Sequence, residues 1–291
     1  MVLRLFKWAV LLGTAGMLFL ATYVWGESKG WWAKTLPIEE RNAMLAPFDE
    51  VFVPDPARFG PPPYPGVLLL HNCYGGLVQV RDWAEFLRAN GIMAHVSDSL
   101  AGRGLGHEIP RMMGCYGALF YPVERAGDVM ANLMRFRAHP ALDSTRIGVL
   151  ALSHGGTTLF EALAVADSTT PPRGYAKTFA PSAFAGVRAH IVMYPNCGAL
   201  NQVRVFPVPA PLLWLHGGAD KVTPLRECDD IFADAKAKGY PIKLEEFPGA
   251  NHNFDMLEGG LRNLNVEQGK ADRRRARAAV LAFLRDHLMD E

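Results

Sequence analysis

The sequence has almost no excess of charge. Its 30 Lys and Arg residues oppose 29 Asp and Glu, for a formal net charge of +1. A balance this even offers no electrostatic basis for nucleic acid or acidic polymers as partners. Tandem repeats, low-complexity tracts and any linker that would split the body into two domains are also missing. No two histidines have a metal-ligand spacing such as H-x-x-x-H, so neither zinc nor another metal is expected, and nothing calls for a cofactor. Cysteine is scarce. The four residues, at 73, 115, 197 and 228, fit export to an oxidising compartment, where three pairings are possible; four buried thiols are the alternative.

Only one long uncharged run is present. Arg4 and Lys7 precede it, and it extends from Trp8 to Trp25. At about 1.5 Å per residue it could nearly cross a hydrocarbon core of roughly 30 Å. Cations before the run place the N-terminus in the cytoplasm and the body outside. A cleaved signal peptide is the rival reading, but Gly26-Glu27-Ser28 is a poor cleavage site, which favours an uncleaved anchor. The expected division is an anchor or signal sequence over 1–28, a linker or edge segment over 29–49, and one folded domain over 50–291.

In the body, apolar runs alternate with amphipathic stretches. Val51-Phe52-Val53 reads as a first strand, and the proline-rich segment 59–66 as an extended loop. Val67-Leu68-Leu69-Leu70, Ile92-Met93-Ala94-His95-Val96, Arg146-Ile147-Gly148-Val149-Leu150, Ala189 to Tyr194, Pro211 to His216 and Ile242 to Phe247 read as strands. Helices are expected over 82–90, 123–139, 157–163, 229–238 and 271–288, with an irregular loop over 102–121 and a turn at 143–145. Such alternation predicts an α/β fold with one doubly wound, mostly parallel sheet.

Chemistry gathers where strands end, the location of active sites on open α/β sheets. Ala151-Leu152-Ser153-His154-Gly155-Gly156 lies between a strand and a helix, the setting of a nucleophile elbow. Its first glycine is replaced by Ala151, the smallest possible change. Asp220 follows a later strand and His252 the last one, giving the order Ser…Asp…His found in α/β-hydrolases. In this reading His252 is general base and acid to Ser153, and Asp220 fixes the imidazole tautomer. The oxyanion donors would be the backbone N–H groups of His154 and of Cys73, in the loop His71-Asn72-Cys73-Tyr74. His71 is expected to brace that loop; His95, His139, His190 and His216 read as core or surface residues.

Five blocks carry a resemblance to the dienelactone hydrolase family of α/β-hydrolases, over residues 50–290. They are Leu69 to Gly76, Asp98-Ser99 with Arg103-Gly104, Ala151 to Gly156, Gly217 to Pro224, and Phe247 to His252. The resemblance implies a compact α/β-hydrolase domain without a large lid, acting on esters or lactones of small acids. Founding members use a cysteine nucleophile, where this chain has Ser153, and clamp a carboxylate with two arginines. Arg103 falls near the first of these, but Met256 holds the place of the second, which argues against dienelactone as substrate. Asn72, Tyr74 and Arg103 are the candidate substrate contacts, with plain solvation of Arg103 as the alternative. Exported relatives imply the disulfides Cys73–Cys115 and Cys197–Cys228.

The expected function is therefore a serine hydrolase of carboxylic esters or lactones, acting through an acyl-enzyme on the extracytoplasmic side. Its partners would be a small-molecule substrate and, through the N-terminal segment, the membrane. The alternatives are an acyltransferase or peptidase with the same triad, or a hydrolase fold kept as a non-catalytic binding module.

Overall fold

The structure, a computed structural model, describes residues 2–28, 36–75, 77–105, 115, 121–166, 177, 179–198, 210–256 and 266–289. Trp31, Trp32, Gly76, His107 and Tyr116, noted in the sequence, lie outside these residues, as does most of the loop 102–121.

Seven strands form one sheet in the order β1-β3-β2-β4-β5-β6-β7. They are β1 (Asp49–Phe52), β2 (Tyr64–Leu70), β3 (Met93–Ser97), β4 (Leu142–Leu152), β5 (Val187–Met193), β6 (Leu212–Gly217) and β7 (Ile242–Phe247). β1 runs antiparallel to β3, and every other neighbouring pair is parallel. Together with the flanking helices this is the α/β-hydrolase fold. The helices are α1 (Val2–Ser28), α2 (Ile38–Leu45), α3 (Pro56–Phe59), α4 (Leu77–Arg88), α5 (Pro122–Arg137), α6 (His154–Ala166), α7 (Asp229–Ala237) and α8 (Val266–Leu288).

Alternation along the strands sorts side chains onto two buried faces. Leu68, Leu70, Val149 and Ala151 point to the side covered by α5, α6 and α7, where Phe136, Phe160 and Ile231 meet them. Val67, Leu69, Leu150 and Leu152 point to the other, against Trp83 and Leu87 of α4 and Val280 and Leu284 of α8. Both faces are covered, so the central strands read as continuous apolar runs.

Three expectations need correcting. β2 starts at Tyr64 rather than Val67 and includes Pro65, which falls where its register against β4 shifts and so disrupts no regular ladder. Residues 143–145 belong to β4 instead of a turn. α4 begins at Leu77, immediately after the loop that follows β2, not at Asp82.

Candidate active site

β4 ends at Leu152 and α6 starts at His154, so Ser153 alone makes the turn. Its φ of 51° lies in the left-handed region, unusual for a residue with a side chain. Its N–H donates to Met193 O of β5 (2.9 Å). The elbow also needs a glycine two residues on: a Cβ on Gly155 would lie 2.6 Å from Leu70 O and 2.9 Å from His71 O. No such constraint acts on Ala151, which packs fully buried in the core.

The structure brings Ser153, His252 and Asp220 together. Ser153 Oγ lies 3.0 Å from His252 Nε2, and His252 Nδ1 lies 2.7 Å from Asp220 Oδ2. Asp220 is held by its own turn: the N–H groups of Val222 and Thr223 donate to Oδ1 at 2.8 and 2.9 Å. The Thr223 hydroxyl has Asp220 Oδ2 at 2.9 Å and Tyr194 O at 3.1 Å within reach. Burial alone would raise the Asp220 carboxyl. The hydrogen bond and charge of His252, with the donors of Thr223, outweigh it and hold the carboxyl below its ordinary range. An ionised Asp220 accepts the Nδ1 proton, which leaves the Nε2 lone pair facing Ser153.

His216 backs this arm. Trp214 Nε1 donates to His216 Nδ1 (3.1 Å), so Nε2 carries the proton and donates to Thr223 O (2.7 Å). Burial lowers its pKa and keeps the ring neutral beside Asp220. The expected core residue is thus a brace for the Asp220 turn. The β6 end and the His252 loop also pack closely, since a Cβ on Gly217 would lie 2.4 Å from Ala250 O.

On the other side of Ser153, the loop after β2 is held from several directions. His71 Nε2 accepts the Ser99 N–H (3.1 Å), so Nδ1 carries the proton and donates to Asn72 O (2.6 Å). Burial first, and the Arg125 charge second, keep this ring's pKa well below the usual value. Carbonyl and N–H of a trans peptide point opposite ways, so this bond also fixes the direction of the Cys73 N–H. Cys73 is joined to Cys115 by a disulfide, and Cys197 to Cys228 by another.

A chain of donors runs from this loop to the loop of His252. Tyr74 N–H donates to Asn72 Oδ1 (2.9 Å), Asn72 Nδ2 to Gln79 Oε1 (3.1 Å), and Gln79 Nε2 to Asp255 Oδ1 (2.8 Å) and the Tyr194 oxygen (2.8 Å). Asp255 also accepts from Trp83 Nε1 (2.7 Å) and the Tyr194 hydroxyl (2.6 Å). Burial, then the Asp255 charge, hold the Tyr194 phenol well above its ordinary pKa. The Tyr194 ring lies edge-on to His252 with centroids 4.7 Å apart. Sequence reasoning missed Gln79, Tyr194 and Asp255. The available signal was a glutamine on the apolar side of α4, among Leu77, Val80 and Trp83.

Arg103 is half-buried among acids. Its guanidinium donates to Glu124 Oε1 (3.0 Å), Asp128 Oδ2 (2.8 Å) and Ser99 O (2.8 Å). Burial would depress its pKa, but the charges of Asp128 and Glu124 raise it. Arg125 contacts His154 Nδ1 at 3.1 Å, and burial brings its pKa down to about 9. Among the described residues no His, Cys, Asp and Glu side chains cluster as a metal site. A cavity of about 380 Å³ lined by Phe59, Tyr64, Arg146 and Arg285 lies at the amino ends of β2 and β4, away from Ser153.

None of the curated proteins matches the chain by sequence. Among solved structures, the chain is similar to a Klebsiella pneumoniae protein assigned as a dienelactone hydrolase. The two share 18% identity and a TM-score of 0.58, over 77% of this chain and 87% of the other. It is also similar to a thermophilic esterase from Thermogutta terrifontis with butyrate bound (16% identity, TM-score 0.56, 80% and 88% covered). The same esterase phosphoramylated by tabun aligns at 17% identity and a TM-score of 0.56, again over 80% and 88%. At these identities the likeness establishes the fold. The model of the dienelactone hydrolase family matches residues 174–288, a span that holds Asp220 and His252. That match spans less than half of the chain; over this part, which carries β5 to β7, α7 and α8, the chain is similar to the dienelactone hydrolase family.

Proposed function

We propose that the protein is a serine hydrolase of carboxylic esters, acting outside the cytoplasm from a membrane anchor. The observation that carries this reading is the relay from Ser153 Oγ through His252 to Asp220, at 3.0 and 2.7 Å. The family-model match over residues 174–288 and the esterase likeness support ester chemistry, and the two disulfides and one apolar N-terminal helix support the location.

In the proposed mechanism His252 Nε2 takes the Ser153 proton as Oγ attacks the ester carbonyl. The backbone N–H groups of Cys73 and His154 receive the oxyanion, and the ion pair with Asp220 stabilises the imidazolium. The C–O bond to the alcohol breaks as His252 returns the proton to the departing oxygen. Water, deprotonated by the same nitrogen, then attacks the acyl-Ser153, releasing the acid and restoring the hydroxyl. Arg103, occupied by Glu124 and Asp128, braces the neighbouring loop in this reading and leaves the acyl group uncharged. Asn72 is likewise occupied, by Tyr74 N–H and Gln79.

The test is a fluorophosphonate reaction of the full chain in detergent, with hydrolysis of p-nitrophenyl butyrate measured alongside. Labelling should map to Ser153, and Ser153→Ala should abolish both labelling and turnover. A folded protein that neither labels nor turns over would refute the reading.

A further inference from the structure

α1 is the one helix among the described residues long and apolar enough to cross a membrane, over Phe6–Tyr23, and none of that span is buried against the body. The last residue of the span does touch the body: the hydroxyls of Tyr23 and Tyr121 are 2.9 Å apart. Tyr23 and Trp25 stand where aromatic residues mark the boundary between bilayer and water. Tyr121 must then lie at that boundary too.

Tyr121 is close to the candidate active site. It is the residue before α5, its carbonyl accepts the N–H of Arg125 one turn on, and Arg125 contacts the ring of His154, next to Ser153. α5 returns to β4 through residues 138–141 and so runs against the sheet. Its length of about 24 Å brings its start to the carboxyl end of the strands, the Ser153 side. A second observation points the same way. Outside α1, the most exposed large apolar side chains among the described residues are Val222 (67%) and Val78 (65%), followed by Phe48 and Leu244 at 40%. Val78 is in the first turn of α4, after the loop of Cys73, and Val222 is two residues beyond Asp220. Both occupy the Ser153 face.

We propose that this face lies against the bilayer that α1 enters, and that the substrate is an acyl ester drawn from that bilayer. The proposal rests on the hydrolase reading above and adds the source of the ester. Val78 and Val222 insert among the headgroups, as exposed apolar residues on membrane-bound surfaces do. An amphiphilic ester can then reach Ser153 by moving along the interface, without passing through water.

The test uses the full chain in phosphatidylcholine vesicles with a trace of phospholipid bearing a photoactivatable group near the glycerol. Peptide mapping after irradiation should find adducts at Val78 and around Val222 as well as in α1. Adducts confined to α1, adducts at Arg285 and Met289 on the opposite end, or a mature protein lacking residues 1–28 would overturn the proposal. Turnover of a long-chain acyl ester carried in the vesicles is compared with turnover of soluble p-nitrophenyl butyrate. Val78→Gln should lower the first by about fivefold and leave the second unchanged. Hydrolysis of the soluble ester alone would sink the substrate assignment and leave the hydrolase reading standing. Failure on both esters would sink the two together, and the adduct map would still decide the orientation.

Discussion

The two arms that flank Ser153 in the proposed mechanism are built on different principles. The acid–base arm is local: Asp220 is held by Val222 and Thr223, two and three residues away, and braced by His216, four residues before it. The oxyanion arm is long-range. Its loop depends on Ser99, on Cys115, and through Gln79 on Asp255, 176 positions further along the chain. A local arm forms wherever its turn forms. The distant arm exists only once α4, β5 and the His252 loop have packed, so its geometry reports on the whole fold.

This contrast governs how much could be read in advance. The sheet was legible because both faces are covered and the strands stand out as apolar runs; β7 lies where the pattern put it, over Ile242–Phe247. Ser153, Asp220 and His252 stood out because each lies in the turn or loop after a strand, among the small residues that turn needs. Gln79 and Asp255 did not, because one buried polar residue in a sequence carries no sign of a partner so far away. The surroundings of Arg103 were hidden for a related reason: only the fold brings Glu124 and Asp128 onto its guanidinium.

The largest expected effect comes from striking the local arm. In Asp220→Asn the amide oxygen can still accept from Val222 and Thr223, but the NH₂ then faces His252 Nδ1. That forces the wrong tautomer, with a proton on Nε2 pointing at Ser153. By analogy with other triads kcat should fall about 10⁴-fold with little change in stability. Steady-state kinetics and a melting curve check this; an unchanged kcat would mean that Asp220 does not orient the base.

The distant arm should respond differently, losing stability and rate together. Asp255→Asn puts an NH₂ among the donors of Gln79, Trp83 and Tyr194, at a cost of roughly 2–4 kcal/mol. The loosened loop should lower kcat about 10- to 100-fold, with a smaller change in KM. Gln79→Glu, which sets two carboxylates face to face, should be worse than Gln79→Met. Equal effects would reduce the network to packing.

The disulfides sharpen the comparison, because they close similar loops of 42 and 31 residues but only one touches the oxyanion arm. On the chain-entropy model each adds about 4 kcal/mol, so Cys115→Ser and Cys228→Ser should destabilise alike. Only Cys115→Ser should also slow turnover, by a few-fold to about tenfold, since it releases the loop whose Cys73 N–H is the proposed oxyanion donor. Equal losses of kcat in the two variants would show that Cys73 needs no tether.

The smallest effect on activity, and a separate one on stability, belongs to His190 of β5, remote from both arms. Its ring is fully buried with neither nitrogen hydrogen-bonded, and burial brings its pKa from 6.5 down to about 4. Below pH 6.5 the unfolded chain therefore binds a proton that the folded chain resists. Stability is whole above that pH and drains away as pH falls toward 4, by roughly 3 kcal/mol for this residue. His71 and His216 push in the same direction. They are tied to the two arms, however, so replacing either one would disturb the site along with the titration. His190→Leu removes the titration and the unpaired nitrogens at once. Its melting temperature at pH 7 should match or exceed that of the parent, and the gap should widen at pH 5 while kcat stays the same. A parallel fall of both proteins with acid would place the sensitivity in the histidines of the arms, and acid would then loosen the active site before the core.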